Sequence, residues 1–331
     1  MGDDRPPLLE VRGLTTEFVS QRTGVRRAVR AADGVSFDIG RGEILALAGE
    51  SGSGKSVTAL SILRLVPPPG RIVSGSIRFE GRDLLTLDER DLLRVRGARI
   101  GFVFQEPMTA LNPVFTVGDQ IAEALEVHGV ARGAAARARA VELLDTVRIP
   151  EPARRARDFP HQLSGGMRQR VLIAAAMACR PPLVMADEPT TALDATIQAD
   201  ILDLLVAMRR EHGLSLLLIT HDLGIVARVA DRVAVMYAGR IVETGPAPGV
   251  LASPRHPYTR GLLASLPGQV PGTRLEAIPG AVPDLAALPP GCAFAPRCPD
   301  RFEACDGSRP DAYVVSPGRT ARCFLHGGAA R

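Results

Sequence analysis

The chain has 331 residues, of which 46% are hydrophobic and 23% charged, and this balance excludes wholesale disorder, a fibrous repeat and a small disulfide-held scaffold. The longest uninterrupted apolar run, residues 171–179, is far shorter than the roughly 20 residues that a membrane-spanning helix needs. The net charge of +4 comes from scattered arginines among 36 acidic residues, so it gives little support to nucleic-acid binding. We expect a soluble globular protein.

The first elements along the chain predict a small antiparallel sheet and then a strand, a turn and a helix. Strand-like alternation marks the three segments of the sheet, at residues 8–14, 35–39 and 76–79. Residues 43–49 predict a buried strand and residues 55–66 a helix that the prolines at 67–69 end. The acidic N-terminus has no apolar run behind it, unlike a signal peptide, so we expect the chain to stay in the cytosol.

Further along the chain, short apolar runs alternate with helical stretches. The runs that read as buried strands are residues 100–104, 183–186 and 214–219. Such alternation is typical of an α/β fold with a parallel sheet covered by helices. Residues 113–178 predict a helical subdomain, and residues 233–243 a hairpin. The last 91 residues hold 14 of the 27 prolines and four of the five cysteines, which predicts a separate loop-rich appendage.

A glycine-rich segment between the predicted strand and helix fits the phosphate-binding loop (P-loop) pattern G-x-x-x-x-G-K-[ST]. Its residues are Gly49, Glu50, Ser51, Gly52, Ser53, Gly54, Lys55 and Ser56. Glycines let backbone N–H groups turn toward phosphate oxygens, and the helix adds the positive end of its dipole. Lys55 is the only lysine of the chain, and its compact charge suits the β and γ phosphates of a nucleotide.

A magnesium site completes the predicted phosphate chemistry. The Ser56 hydroxyl is expected to bind Mg²⁺, as in other P-loop proteins. A second group on the magnesium side, the carboxylate of Asp187, is expected at the end of a buried strand. Glu188 follows it and is expected to polarise the water that attacks the γ phosphate.

Residues 163–170, Leu-Ser-Gly-Gly-Met-Arg-Gln-Arg, resemble the signature motif of ATP-binding cassette (ABC) ATPases. The resemblance covers Ser164, Gly165, Gly166 and Met167, with Met167 where glutamine is more usual. Ser164 is expected to cap a helix whose N-terminus offers a second phosphate-binding site. In this family the signature of one subunit covers the nucleotide on the P-loop of another, so the resemblance implies a dimer of ATPase subunits.

Further motifs of the same family follow residue by residue. Gln105 resembles the Q-loop glutamine, which contacts the γ phosphate and magnesium, and Asp194 stands in a segment that resembles the D-loop. His221 resembles the switch histidine, which contacts the γ phosphate. Phe18 stands where family members often place a ring that stacks on adenine, although a core phenylalanine fits the sequence equally well.

Finer motifs resemble the ATPases of oligopeptide, dipeptide and nickel importers. They are Gln-Glu-Pro-Met-Thr-Ala-Leu-Asn-Pro at 105–113, His-Pro-Tyr-Thr at 256–259, Ile-Pro-Gly at 278–280 and Gly-Cys at 291–292. The resemblance implies a P-loop ATPase domain over residues 1–250 and a C-terminal extension over 251–331. It also implies two transmembrane permease subunits, a second ATPase subunit that is more often a paralogue than a copy, an extracytoplasmic substrate-binding protein, and a place on the cytoplasmic face of the membrane.

Four cysteines fall within a short stretch of the extension. They are Cys292, Cys298, Cys305 and Cys323. Disulfides are disfavoured in the cytosol, and the spacing fits neither the usual zinc pairs nor a ferredoxin, so spacing alone leaves the role open. Some peptide-importer ATPases are similar here and carry a [4Fe-4S] cluster, which the resemblance favours over Zn²⁺. The fifth cysteine, Cys179, lies in an apolar helix and is expected to be a packing residue.

Three alternatives remain beside peptide import. The transported solute could be nickel or another small solute, because specificity lies in other subunits. A non-transport ABC ATPase acting on nucleic acid would need coiled-coil heptads or a nucleic-acid module, and the sequence offers neither. A scaffold that binds nucleotide without hydrolysing it is disfavoured by the joint presence of Lys55, Asp187, Glu188 and His221.

Overall fold

The structure is a computed structural model that describes residues 6–22, 25–266 and 277–327. Its strands are β1 (Leu9–Arg22), β2 (Val25–Ile39), β3 (Ile44–Ala48), β4 (Gly70–Phe79), β5 (Arg82–Asp83), β6 (Ile100–Val103), β7 (Leu183–Asp187), β8 (Ser215–Thr220), β9 (Arg232–Tyr237), β10 (Arg240–Pro246), β11 (Tyr313–Ser316) and β12 (Arg319–Ala321). Its helices are α1 (Lys55–Ile62), α2 (Glu89–Val95), α3 (Pro107–Ala110), α4 (Val117–Val127), α5 (Gly133–Thr146), α6 (Pro152–Arg155), α7 (Gly165–Met177), α8 (Ala195–His212), α9 (Leu223–Val229), α10 (Ala247–Ala252), α11 (Pro257–Ala264) and α12 (Ala304–Gly307). No helix within these residues is long and apolar enough to cross a membrane.

The chain folds as two compact units. The first unit comprises Met1–Ile39, Ile44–Leu85 and Ile219–Arg331, and the second comprises Gly40–Glu43 and Thr86–Leu218. The P-loop therefore shares a unit with the C-terminal extension, and the boundary between the units falls inside β8. The division of the chain at residue 250 stays a prediction.

The antiparallel sheet predicted near the N-terminus is confirmed in the first unit. Its strand order is β2-β1-β4-β5, and Leu9 of β1 lies opposite Ile39 on one side and Phe79 on the other. These three side chains are buried and form the core face of the sheet. The strands are longer than predicted, since β1 continues to Arg22 and β2 begins at Val25.

Helix α1 is shorter than predicted, since it ends at Ile62 and not at the prolines. The reason is a Schellman motif: Arg64 adopts a left-handed conformation with a φ of 52°, and its N–H donates to the carbonyl of Ser61 at 3.0 Å. The N–H of Leu65 donates to the carbonyl of Leu60 at 2.8 Å. These bonds satisfy the last carbonyls of the helix before the prolines are reached.

The C-terminal extension is integrated into the first unit, which differs from the expectation of a separate appendage. Strands β3 and β9 run parallel, β9 and β10 form the predicted hairpin, and β12 pairs antiparallel with β10. The pairing is fixed by an ion pair between Arg319 and Glu243, both buried, at 2.6 Å. Aromatic residues from both parts of the chain meet in one core, where the ring of Phe294 lies 5.2 Å from that of Tyr237 and 5.4 Å from that of Tyr258.

The second unit contains the predicted helical stretch and the predicted buried strands β6, β7 and most of β8. Strands β6 and β7 are parallel, with Ile100 opposite Leu183, and β8 follows β7 in the strand order. Helices α4, α5 and α7 bury apolar residues such as Ile121 and Leu144, as the helical pattern predicts. This unit carries the residues predicted to form the signature and the Q-loop, and the two acidic residues at the end of β7.

Candidate nucleotide-binding and hydrolysis site

The P-loop lies between β3 and α1, in the strand-turn-helix arrangement that the motif requires. Lys55 is buried, and its Nζ donates to the backbone carbonyls of Gly49 at 2.8 Å and Glu50 at 2.9 Å. Its ammonium group is therefore folded back over the loop, next to the N-terminus of α1. Ser56 follows Lys55 in the first turn of this helix, where its hydroxyl can reach a metal ion on the phosphates.

The path of the loop depends on a glycine at its end. Gly54 has a φ of 101°, and a Cβ at this position would lie 2.1 Å from the backbone oxygen of Ala31. Gly52 also has a positive φ, of 76°, but a Cβ there would meet no atom within 4 Å. The loop therefore needs glycine at 54 for space as well as for conformation.

Two residues of the C-terminal extension bind the second residue of the loop. The sequence analysis singled out the motif that contains one of them, at 256–259, but predicted neither contact. The N–H of Glu50 donates to the hydroxyl of Tyr258 at 2.8 Å. The guanidinium of Arg297 donates to both carboxylate oxygens of Glu50, at 2.7 Å and 3.0 Å. The available signal was composition: tyrosine occurs only three times in the chain, and Tyr237 and Tyr258 both lie in this cluster.

The two remaining predicted residues of the first unit lie on different elements. Phe18 is a half-buried residue of β1, and a Cβ at Gly70 of β4 would lie 2.7 Å from its ring. The ring therefore packs on the neighbouring strand, and its role against adenine stays a prediction. His221 directly follows β8 and is exposed, while Asp222 caps α9 by accepting from the N–H of Gly224 at 2.7 Å.

The second unit brings Gln105 and Glu188 together. Asp187 is buried as the last residue of β7, and Glu188 follows with a φ of 45°. Such a left-handed backbone is costly for glutamate and is typical of functional sites. The Glu188 carboxylate accepts from the Gln105 amide at 3.3 Å and from the Thr191 hydroxyl at 2.7 Å. These bonds orient the carboxylate that the sequence assigns to water activation.

The signature segment forms the N-terminus of α7, as predicted. Ser164 is its N-cap, and its hydroxyl accepts from the N–H of Met167 at 3.3 Å. Ser164 and Gly165 are exposed, whereas Gly166 is buried against α8, where a Cβ would lie 2.7 Å from Ile197. The N-terminus of α7 is thus accessible to an anionic group, while its first turn packs against α8.

Asp194 of the D-loop segment is the N-cap of α8. Its carboxylate accepts from the N–H groups of Thr196 at 3.1 Å and Ile197 at 3.0 Å. The bonds fix the start of the helix that packs against the signature. A contact to a second subunit stays a prediction.

None of the four cysteines of the extension forms a disulfide, and the N–H of Cys292 donates to the carbonyl of Cys305 at 2.8 Å. Burial raises the pKa of the Cys298 and Cys323 thiols to about 11. The charges of Asp300 and Cys292 add smaller increases to both pKa values. Burial, and to a smaller extent Cys305, raises the pKa of Cys292. Within the described residues, no group of three or more His, Cys, Asp or Glu side chains is arranged to hold a metal ion.

Comparison with known proteins decides the family. Residues 32–191 match the ABC transporter family, and residues 242–305 match the C-terminal region of oligopeptide/dipeptide transporters. The chain is 54% identical over 334 aligned residues to a Brucella melitensis protein named as a peptide import ATP-binding protein, with 97% of each chain covered. The chain belongs to the ABC transporter family of ATP-binding proteins. It is an ATPase with the P-loop fold of that family.

Other relatives and a solved structure agree with this assignment. The chain is 49% identical to the oligopeptide transport ATP-binding protein AppD of Bacillus subtilis, with 96% of this chain and 97% of that protein covered. The ATP-binding cassette MJ0796, solved as a dimer in a post-hydrolysis state with ADP and Pi, is 31% identical, with a TM-score of 0.63 over 72% of this chain and 98% of its own. The assignment to the ABC ATPases is thus supported by sequence similarity along nearly the whole chain and by the fold.

Proposed function

We propose that this ABC ATPase powers the import of di- or oligopeptides through a membrane transporter. The observation that carries the proposal is the C-terminal region, residues 242–305, which matches that of oligopeptide/dipeptide transporters and here contacts the P-loop. Relatives that match nearly the whole chain are named for oligopeptide and dipeptide transport. Both observations support a peptide cargo over other solutes.

The chemistry we propose needs positioning and charge stabilisation. Lys55 and the P-loop backbone bind the phosphates of ATP, and His221 contacts the γ phosphate. Ser56, Gln105 and Asp187 offer a hydroxyl, an amide and a carboxylate, the oxygen donors that Mg²⁺ prefers. When bound, the ion neutralises charge on the phosphates. Glu188 accepts a proton from the attacking water, and the bonds from Gln105 and Thr191 hold it in place.

We propose that the ATPase works as a dimer on the cytoplasmic face of the membrane. Ser164, Gly165, Gly166 and Met167 would then cover the nucleotide held by the P-loop of the other ATPase subunit, which we take to be a paralogue. The dimeric solved relative supports this arrangement. Two transmembrane permease subunits and an extracytoplasmic substrate-binding protein complete the proposed transporter.

We further propose that Cys292, Cys298, Cys305 and Cys323 hold a [4Fe-4S] cluster, with Zn²⁺ as the alternative. Four cysteine thiolates are the usual ligands of such a cluster. The N–H of Cys292 donates to the carbonyl of Cys305 at 2.8 Å, and the charge of Cys292 contributes to the raised pKa of both Cys298 and Cys323, which supports a common site. Anaerobically purified protein should carry about four irons per chain and absorb broadly in the blue. Zinc without iron would favour the alternative, and a metal-free chain would overturn both.

The transport proposal is tested by purifying the tagged ATPase in mild detergent from its native cells and identifying its partners by mass spectrometry. We expect two multi-span permeases and a second ATPase. The purified complex is then placed in vesicles with the binding protein, and uptake of labelled peptides is measured with ATP inside and outside. Uptake of nickel but not of peptide would show that nickel is the transported solute. Recovery of nucleic-acid proteins without a permease would overturn the proposal of a transport function.

A further inference from the structure

Glu50 is held through every polar group it has. Its N–H donates to Tyr258, and its carboxylate accepts two bonds from Arg297. Its backbone carbonyl accepts from the Nζ of Lys55 at 2.9 Å and from the N–H of Ser53 at 3.2 Å. Glu50 therefore joins two residues of the C-terminal extension to the lysine that binds phosphate.

Arg297 is itself immobilised. Its side chain is 4% exposed, and its guanidinium lies 5.8 Å from the ring centre of Tyr237 and 5.9 Å from that of Phe294. Its Nε donates to the carbonyl of Pro279 at 3.0 Å. The hydrogen bond to Glu50, opposed by burial, raises the pKa of Arg297 above its usual value. A planar guanidinium clamped between rings can fix the plane of a carboxylate, which a lysine cannot do.

We propose that Arg297 and Tyr258 are positioning residues for ATP binding, which act through Glu50 to hold the P-loop and Lys55 in the conformation that receives the phosphates. The role rests on the ATP site described above and extends it to the C-terminal region. A pre-ordered loop does not have to be ordered when the nucleotide binds, so its affinity for ATP is higher. The extension thereby sets nucleotide affinity without contacting the nucleotide.

The Arg297→Ala chain is expected to fold. The Glu50 side chain is 28% exposed, so water can hydrate the carboxylate that loses its partner, and the aromatic core of Tyr237, Tyr258 and Phe294 remains. The expected defect is a loosened loop. A loosened loop should bind ATP and the transition state more weakly by the same amount. KM should therefore rise while kcat stays nearly unchanged.

The test uses the full chain and its assembled complex. Arg297→Ala should raise the Kd for a fluorescent ATP analogue and the KM for MgATP about tenfold, because a buried charge-assisted pair is lost. Arg297→Lys should recover only part of the loss, and Tyr258→Phe should give a smaller increase. Arg301→Ala is the matched control, because Arg301 makes a similar two-bond pair with Asp306 on the surface of the extension.

A double-mutant cycle separates positioning from general destabilisation. If Arg297 acts through Glu50, the Kd of Glu50→Ala with Arg297→Ala should equal that of Glu50→Ala alone. Additive effects, or an unchanged Kd in a folded Arg297→Ala chain, would overturn the positioning role and leave the transport proposal intact. A wild-type complex that binds ATP but moves no peptide would overturn transport and leave the positioning role.

Discussion

The amide of Gln105 donates to the carboxylate of Glu188 across 3.3 Å. The two residues are 83 positions apart in the sequence, and each follows the end of a parallel strand, β6 or β7. Because the carboxyl ends of parallel strands lie at one edge of a sheet, their side chains meet there. The group predicted to sense the γ phosphate thus touches the group predicted to activate water.

Replacing Glu188 with glutamine should stop hydrolysis without stopping binding. The amide keeps the size of the side chain but cannot accept a proton from water, so kcat should fall by a factor on the order of 100 or more. ATP turnover and the Kd for ATP are measured on the same preparation. Glu211→Gln, at an exposed position near the end of α8, is the control. A Glu188→Gln enzyme with wild-type turnover would show that another group activates the water.

Alanine at Gly54 should be far more damaging than alanine at Gly52, although both glycines have a positive φ. Only at Gly54 would the new Cβ meet a backbone oxygen, that of Ala31 at 2.1 Å. Gly52→Ala should cost about 1 kcal/mol from conformation alone, whereas Gly54→Ala must displace the loop and abolish detectable ATP binding. Thermal unfolding and nucleotide titration of the two variants measure which substitution is more damaging. Equal effects would mean that Ala31 can move aside.

Removing Arg319 should destabilise the first unit, because it leaves Glu243 as a buried charge without its ion-pair partner. The expected loss is about 3–5 kcal/mol in the free energy of unfolding. Glu243 also accepts from the N–H groups of Arg255 and His256, both at 2.9 Å, so the loss reaches the start of α11. Denaturant unfolding of Arg319→Ala is compared with that of Arg301→Ala, which breaks an exposed pair and should change little. Similar curves would contradict the importance of the buried pair.

Acid should weaken the fold through His256. This side chain is 2% exposed, and burial lowers its pKa to about 3. Because the unfolded histidine has a pKa near 6.5, stability is complete above that pH and is lost as the pH falls toward 3. Between pH 8 and pH 5 the loss should be about 2 kcal/mol.

The control variant replaces His256 with a residue that can still cap α11 but does not change its charge with pH. His256→Asn can accept from the N–H of Tyr258, as the Nδ1 of His256 does at 3.0 Å. The difference in unfolding free energy between pH 8 and pH 5 should shrink by about 2 kcal/mol in this variant. Identical pH profiles for both proteins would place the acid sensitivity elsewhere.

The sequence predicted the strands and helices that carry the motifs, because each motif is a local pattern. The P-loop, the cap at Ser164 and the strand that ends at Asp187 are all readable within a dozen residues. The predicted end of α1 was wrong, because Arg64 adopts a left-handed conformation that ends the helix before the prolines. Nothing in the residue type of Arg64 indicates that conformation.

The surroundings of the P-loop could not be predicted for a different reason. The contact between Glu50 and Arg297 joins residues 247 positions apart, and neither residue is unusual in its own segment. The pairing of β12 with β10 depends likewise on distant residues, Glu243 and Ala321. Such contacts are set by tertiary packing, which a single sequence does not reveal.

The long sequence separation between Glu50 and Arg297 has a consequence for synthesis on the ribosome. Glu50 leaves the ribosome early, and its partner follows 247 residues later. At about 5–20 residues per second, the nascent P-loop waits more than about ten seconds for the residue that orders it. The nascent chain therefore gains full affinity for ATP only after Arg297 has left the ribosome and paired with Glu50.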